Sequence, residues 1–526
     1  MNEELLSSIL FVLITWLLYV IIQYIRTYTY WKKRGVPQIT PIPFFGNTFS
    51  VTCGEEPLYH FHYKNYFKFK DHPFGGYYDF GRPVLLVRDP ELINHILTKD
   101  FAYFQDRGFP YDEEKEPLTA NLFNMGGPRW KNIRTKITPC FTTGKRKLMF
   151  EMLKNCMDDL KNIVRSNLRN DEDVEFKDIL ARFSTDIITE SAFGIKAHTL
   201  KNPEAEFRQM GRSLIQPNSR IRPIFLQICP KLMQYFGVRF LSQEMNDFFQ
   251  GFVKEAVEFR KTNHVNRNDF LNSMVQLMEN QTKEESGRDI TYASIAAECW
   301  FFFFAGFEAS SSALSMTLYE LARNPEIQRK VREEVDRVVE KYDGEITYDA
   351  LQEMTYMEMV IYGNPTFNLN VISFSLLVTL SFCFTETIRL YPSLPFLIRS
   401  CTKTYKIPNS DTYIDKGVSV VIPVVGLHRD PVYYTDPEVY NPENFSEEVK
   451  NSRHHCTFLP FGEGPRICIA SRFGMMQIKT GLATLIRNFE FTPSSKMITP
   501  LQLIPRLILT NCGSGVWLKC SERSFN

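Results

Sequence analysis

The sequence predicts a mainly α fold with a small β region, on three observations. Helical periodicity dominates from Lys145 to Lys261. Thr291–Arg323 runs without proline between Asp289 and Asn324-Pro325; at about 1.5 Å per residue this is a helix roughly 50 Å long, enough to cross a whole domain. The strand candidates are short: Tyr77–Phe80 and Pro83–Val87 around Gly81-Arg82, and the alternating stretch Asp411–His428. Within 526 residues no Gly/Ser linker, repeat or low-complexity tract divides the chain, so one large domain is expected behind an N-terminal segment. A net charge of +1 argues against a nucleic-acid partner. Eleven cysteines without C-x-x-C spacing fit a reducing compartment without disulfides. An aromatic share of 14%, with 44 Phe, suits a roomy apolar pocket, although an aromatic core would account for it equally.

The elements follow in order. Leu5–Ile25 is almost wholly apolar and long enough to span a bilayer, and no small-residue cleavage site follows it, so residues 1–30 read as a retained membrane anchor. Glu3 and Glu4 precede the stretch, and Arg26, Lys32, Lys33 and Arg34 follow it, which leaves the remainder of the chain on the cytosolic side. Residues 31–47 contain Pro37, Pro41 and Pro43, which fix φ and remove donors, so a stiff connector is expected there. Residues 48–526 form the main domain. Asp89-Pro90 opens a helix, and Phe101–Leu122 is an irregular loop rich in Phe and Tyr. Trp130 and Arg134 share a helix face, where an indole N–H and a guanidinium make a carboxylate clamp; an ordinary amphipathic helix is the bland alternative. Arg129, Lys131, Lys136, Lys145, Arg146 and Lys147 make this neighbourhood basic. At the centre of the long helix, Gly306 costs about 1 kcal/mol against Ala but lets a ligand approach the backbone.

Glu386-Thr387-Ile388-Arg389 is a weak signal alone, since Glu326/Arg329 and Glu334/Arg337 repeat its spacing as surface pairs. It gains weight from Leu390-Tyr391-Pro392 and Arg399 just downstream. His454-His455 invites a metal reading, but a polar loop without further ligands is the stronger one. Phe461–Ala470 then carries the most specific pattern in the chain, Phe-x-x-Gly-x-Arg-x-Cys. Gly462, Gly464 and Pro465 give a tight loop, and Arg466 adds a positive charge. Cys468 precedes a helix beginning at Ser471, whose dipole and free N–H groups favour thiolate over thiol. A lone cysteine is usually a small buried apolar residue. Four typed positions at fixed spacing overturn that reading, and the arrangement suits a cysteine that ligates a metal through sulfur with N–H donors pointed at it.

This loop resembles the haem-binding loop of the cytochrome P-450 family. With Arg472–Gln477 it is similar to the insect microsomal, xenobiotic-metabolising branch, and the likeness extends over nearly the whole chain. The resemblance implies the cytochrome P-450 fold with a single haem domain, an axial thiolate from Cys468, and haem contacts from Trp130, Arg134, Arg399, Phe461, Gly464 and Arg466. It implies a structural core pair in Glu386 and Arg389, and an oxygen-binding groove at Gly306, Glu308, Ala309 and Ser310. Phe101–Leu122 would cover the substrate, Ile221–Leu241 would be either a membrane-facing channel entrance or a buried helix pair, and Leu501–Leu507 would be a hairpin tip reaching the pocket. The reaction implied is insertion of one oxygen atom from O2 into a lipophilic small molecule. Electrons would come from NADPH through NADPH–cytochrome P-450 reductase, with cytochrome b5 as an additional donor, docking on the basic surface. The site implied is the endoplasmic reticulum membrane.

Three features depart from the family. Ala309 stands where a threonine hydroxyl helps deliver protons, and Asn444 where an arginine joins the Glu386–Arg389 network. Residues 363–385 interrupt a helix that would otherwise read Met-Val-Ile-Tyr-Glu-Thr-Ile-Arg. Codons for Gly363-Asn364 and Thr385-Glu386 can hold splice-donor and acceptor patterns, so a retained intron is the expected origin. These departures leave two other readings: a haem-thiolate isomerase or dehydratase that needs no O2, and an inactive, haem-free isoform.

Overall fold

The computed structural model describes residues 26–524 except 44, 169–172, 216–237, 281–289, 355–378 and 506–507, together with scattered positions before residue 26. Most of the expected anchor, of Ile221–Leu241 and of the 363–385 interval therefore lies outside the described residues. Among those described, no helix is long and apolar enough to cross a membrane.

The longer helices, in chain order, are α1 (Leu58–Lys68), α2 (Gly127–Ile137), α3 (Thr143–Leu168), α4 (Phe176–Phe193), α5 (Glu206–Ile215), α6 (Gln243–Thr262), α7 (Phe270–Glu279), α8 (Tyr292–Arg323), α9 (Pro325–Lys341), α10 (Thr379–Leu390) and α11 (Ser471–Asn488). The strands are β1 (Phe74–Asp79), β2 (Arg82–Val87), β3 (Val174–Glu175), β4 (Leu397–Ser400), β5 (Tyr405–Lys406), β6 (Tyr413–Ile414), β7 (Ser419–Ile422), β8 (Phe489–Pro493) and β9 (Trp517–Glu522). The mainly α architecture with a small β region is thus present.

Helix α8 is the axis of the molecule. It begins with a capping box: the Thr291 hydroxyl accepts the Ser294 N–H, and the Ser294 hydroxyl accepts the Thr291 N–H. Its 32 residues bury both flanks, because α4 packs along one side and α6, α10 and α11 along others. Gly306 serves this packing. A Cβ there would stand 2.6 Å from Ile188 Cδ1 on α4, so the missing side chain lets two helices approach.

The main sheet runs β1-β2-β7-β4, with β2 and β7 parallel and the outer pairs antiparallel. The Asp89 carboxylate caps the helix that Pro90 opens, accepting the Leu92 N–H at 2.8 Å. The proline-rich connector lies along this sheet: Pro37 O accepts from Gly76 N, and Ile39 N donates to Gly76 O. Trp31 is fully buried against β1, its indole donating to Tyr77 O at 3.2 Å. A second sheet, β3-β9-β8, packs against α8, α3 and α4. Within Asp411–His428 the alternation gives β6 and β7, and the chain then turns helical over Val424–Leu427.

The last residues of the anomalous interval belong to α10, where Cys383, Phe384 and Thr385 are buried. They supply the turns that precede Glu386 and Arg389.

Candidate active site

The loop before α11 places Cys468 by backbone hydrogen bonds: its N–H donates to Phe461 O at 2.9 Å, and Ile467 N donates to Gly464 O. Gly464 has φ +72°, and a Cβ there would stand 2.0 Å from Leu97 O. Both the conformation and the contact require glycine. Gly464→Ala is expected to cost about 3 kcal/mol, read as a lowered urea midpoint by far-UV circular dichroism; an unchanged midpoint would mean that the loop can shift freely.

Cys468 lies deep in the protein while its side chain stays accessible. Burial pushes its thiol up, and the Ala470 N–H and the charges of Arg134 and Arg107 pull it down. The helix-end effect read from the sequence is therefore real in sign but outweighed by desolvation when no metal shares the charge.

Around this cysteine the fold gathers guanidiniums. Arg399 is 1% exposed; Nη1 donates to Ile398 O, but Nε and Nη2 are buried without partners among the described residues. Desolvation holds it down to about 10. Arg134 donates from Nη2 to Ile467 O at 2.9 Å, one residue before Cys468. Arg107 donates to Phe123 O at 2.9 Å, and burial together with Arg399, Arg466 and Arg134 pulls it well below its usual range. Arg466 turns away from Cys468 and holds the covering loop, through Gln105 O at 2.9 Å, Met125 O at 2.7 Å and Leu122 O at 3.3 Å. Its guanidinium also lies 4.0 Å over the ring of Trp130, which is buried on α2. Arg107 is the member that sequence reasoning missed: it sits in an aperiodic stretch, and nothing in its spacing marks it.

Buried cations with orphaned donors are costly unless an anion pairs with them. The nearest carboxylate to Arg466, Asp106, is 4.0 Å away. The donor set thus suits a dianionic ligand beside a thiolate, which is the chemistry of a haem with two propionates.

On α8, Phe301, Phe304, Ala305 and Ala309 keep partial exposure, while Phe302, Phe303, Phe307, Glu308 and Ser310 are buried. The spacing of Phe301, Ala305 and Ala309 makes one accessible stripe. Glu308 points elsewhere. Its Oε1 accepts from Lys177 Nζ of α4 at 2.9 Å, from Ser312 Oγ at 3.0 Å and from Asn511 Nδ2.

Glu386 and Arg389 are both fully buried on α10 and pair twice, at 2.7 and 2.6 Å. Arg389 also donates to the carbonyls of His428, Pro437 and Val439. Asn444 contributes an amide rather than a charge, donating to Glu386 Oε1 at 3.2 Å. Arg453 brings the charge close by another route, over the rings of Tyr434 (4.3 Å) and Phe445 (5.3 Å).

The basic surface is partly engaged: Arg129 pairs with Glu113, Lys147 with Asp349, and Arg146 is buried. His454, His455 and Cys456 bring ligand-type atoms within 4.8 Å of one another. His454 Nδ1 accepts the Cys456 N–H at 3.1 Å, so the ring proton resides on Nε2, which faces Glu91 at 3.4 Å. A protonated ring nitrogen does not ligate a metal, and Cys456 is enclosed in the core.

The family profile described as Cytochrome P450 matches residues 36–362 and 373–512, breaking inside the anomalous interval. The chain is 38% identical to probable cytochrome P450 6a14 of Drosophila melanogaster, over 94% of this chain and 96% of that protein. It is 37% identical to cytochrome P450 6a9 of the same species over 98% of both. It is 34% identical to cytochrome P450 6k1 of Blattella germanica over 97% and 96%. A cysteine loop with Arg134 and Arg107 beside it, on a chain matched over nearly its whole length by the family profile and by these insect proteins, places it in the cytochrome P450 family as a haem-thiolate monooxygenase.

Proposed function

We propose that Cys468 would supply the thiolate ligand of a haem, and that Arg399, Arg134, Arg107 and Trp130 would hold its propionates. The observation that carries this is the set of enclosed and half-buried guanidiniums near an accessible cysteine, with two donor nitrogens of Arg399 left unpaired among the described residues. A haem bound there supplies the iron chemistry that activates dioxygen for insertion into a carbon–hydrogen bond. The chain's own residues do the rest. The loop N–H groups and the Arg134 and Arg107 charges stabilise the sulfur anion. The aromatic rings of Phe109, Phe123 and Phe301 favour lipophilic aromatic substrates. Phe461 and Gly464 shape the loop, and Glu386 with Arg389 braces it from behind.

Electrons are proposed to come from NADPH through a reductase docking near Lys131 and Arg129, with residues 1–30 anchoring the protein to the endoplasmic reticulum membrane, residues 31–47 as connector and 48–526 as catalytic domain. Ala309 offers no hydroxyl, and the Glu308 carboxylate is engaged by Lys177, Ser312 and Asn511. Proton supply along the Phe301–Ala309 stripe then rests on solvent, so turnover is expected to be loosely coupled.

The test is the ferrous carbon-monoxide spectrum of the chain as written beside a form lacking residues 363–385. A strongly red-shifted Soret band in either supports the thiolate reading. A band only in the shortened form identifies the interval as an artefact of splicing. Its absence from both would favour the haem-free alternative.

A further inference from the structure

Glu298 lies on α8 one turn before Phe301, and none of the roles above uses it. It is 2% exposed. Its carboxyl takes one backbone hydrogen bond from Leu122, and Oε2 is buried with no partner among the described residues. A dry, half-paired carboxyl costs about 1–3 kcal/mol, so its presence calls for a partner the fold itself does not supply.

The surroundings indicate which. Leu122 is held from the other side as well, since its carbonyl accepts from Arg466 Nη1. One residue therefore joins α8 to the cysteine loop, through its N–H on one side and its carbonyl on the other. The next residue, Phe123, stacks on Phe301 with centroids 5.3 Å apart and on Phe109 at 5.6 Å, and Arg107 covers its ring at 4.2 Å. Glu298 thus stands at the end of an apolar aromatic wall. Burial pushes its carboxyl up to about 8, against the weaker pull of the Leu122 N–H. Near neutral pH the group carries a proton that it can donate.

We infer that Glu298 is a polar anchor of the substrate site, donating a hydrogen bond from its carboxyl to an acceptor oxygen or nitrogen at one end of a flat aromatic substrate that lies along the partly exposed edges of the Phe109, Phe123 and Phe301 stack. Glu298 precedes Ala305 by seven residues and Ala309 by eleven, roughly 10 and 16 Å along the helix axis. The anchored atom and the oxidised carbon are therefore at opposite ends of the ligand, and Glu298 sets which end is oxidised. The inference rests on the monooxygenase reading for what happens at that far end.

Two probes of matched shape test it: 2-methoxynaphthalene, which offers an acceptor, and 2-ethylnaphthalene, which does not. Their dissociation constants are measured by calorimetry on haem-loaded wild type, Glu298→Gln and Glu298→Leu, each first checked for the carbon-monoxide band. The preference for the ether over the hydrocarbon is expected to fall about fivefold in Glu298→Leu, the scale of one neutral hydrogen bond, and to persist in Glu298→Gln, which keeps a donor. Should Glu298→Leu fail to hold haem, Glu298→Met, closer in shape, replaces it in the same comparison. An equal preference in all folded variants overturns the anchor while leaving the haem reading intact. A wild type without the band overturns both, through the reading beneath.

Discussion

Arg389→Leu is expected to leave almost no folded protein. The guanidinium is fully enclosed, and its five N–H groups go to Glu386 twice and to three backbone carbonyls. Removing it strands the Glu386 carboxylate, which among the described residues keeps the Asn441 N–H at 2.9 Å and the Asn444 amide at 3.2 Å. Breaking a buried pair by deleting one partner costs about 3–5 kcal/mol, and each orphaned carbonyl adds about 1–3 kcal/mol, short of strict additivity. The sum is comparable to the whole stability of a domain, about 5–15 kcal/mol. Arg389→Lys keeps the charge but loses the fork, so only partial rescue is expected. Soluble yield and the urea midpoint decide the matter: a soluble Arg389→Leu protein with the wild-type midpoint would show that the network is dispensable. Arg329→Leu is the control, because its pairs with Glu326 and Glu333 are exposed and no change is expected there.

The second large effect is spectroscopic. Cys468→Ala is expected to remove the red-shifted carbon-monoxide band completely while far-UV circular dichroism stays native. The residue's structural hydrogen bond to Phe461 runs through its backbone, which alanine preserves. Cys456→Ala is expected to keep the band, since that thiol is enclosed in the sheet-side core and burial pushes it up to about 12. A band that survives in Cys468→Ala and disappears in Cys456→Ala would reverse the ligand assignment.

Much of this architecture is written in local patterns. The long proline-free run, the Asp89-Pro90 start and the paired strands around Gly81 are short-range signals, and the structure returns each within a few residues. The cysteine loop is legible for the same reason: its geometry depends on glycines and a proline at fixed offsets. What sequence could not give is direction. Gly306 reads as room for a ligand, yet its bare face meets Ile188 on α4. Glu308 reads as a groove residue, yet Lys177, over a hundred positions earlier, claims its carboxylate. Arg466 sits two residues from Cys468 but spends its donors on the loop around Leu122 and Met125. Arg107 left no trace, because a contact made by a loop has no period to detect.

Trp31 and the proline run after it bear on where this polypeptide can be cut. A fragment designed to begin at the prolines would discard the indole that fills the space above Gly76, where a Cβ would come within 2.3 Å of the ring. It would also discard Tyr28 and Tyr30, whose hydrogen bonds tie the same stretch to Tyr78 and Asp415. The proline run, which reads as a natural boundary for a truncated enzyme, is stitched into the sheet, and a cleanly trimmed version must keep the chain from about Tyr28 onward.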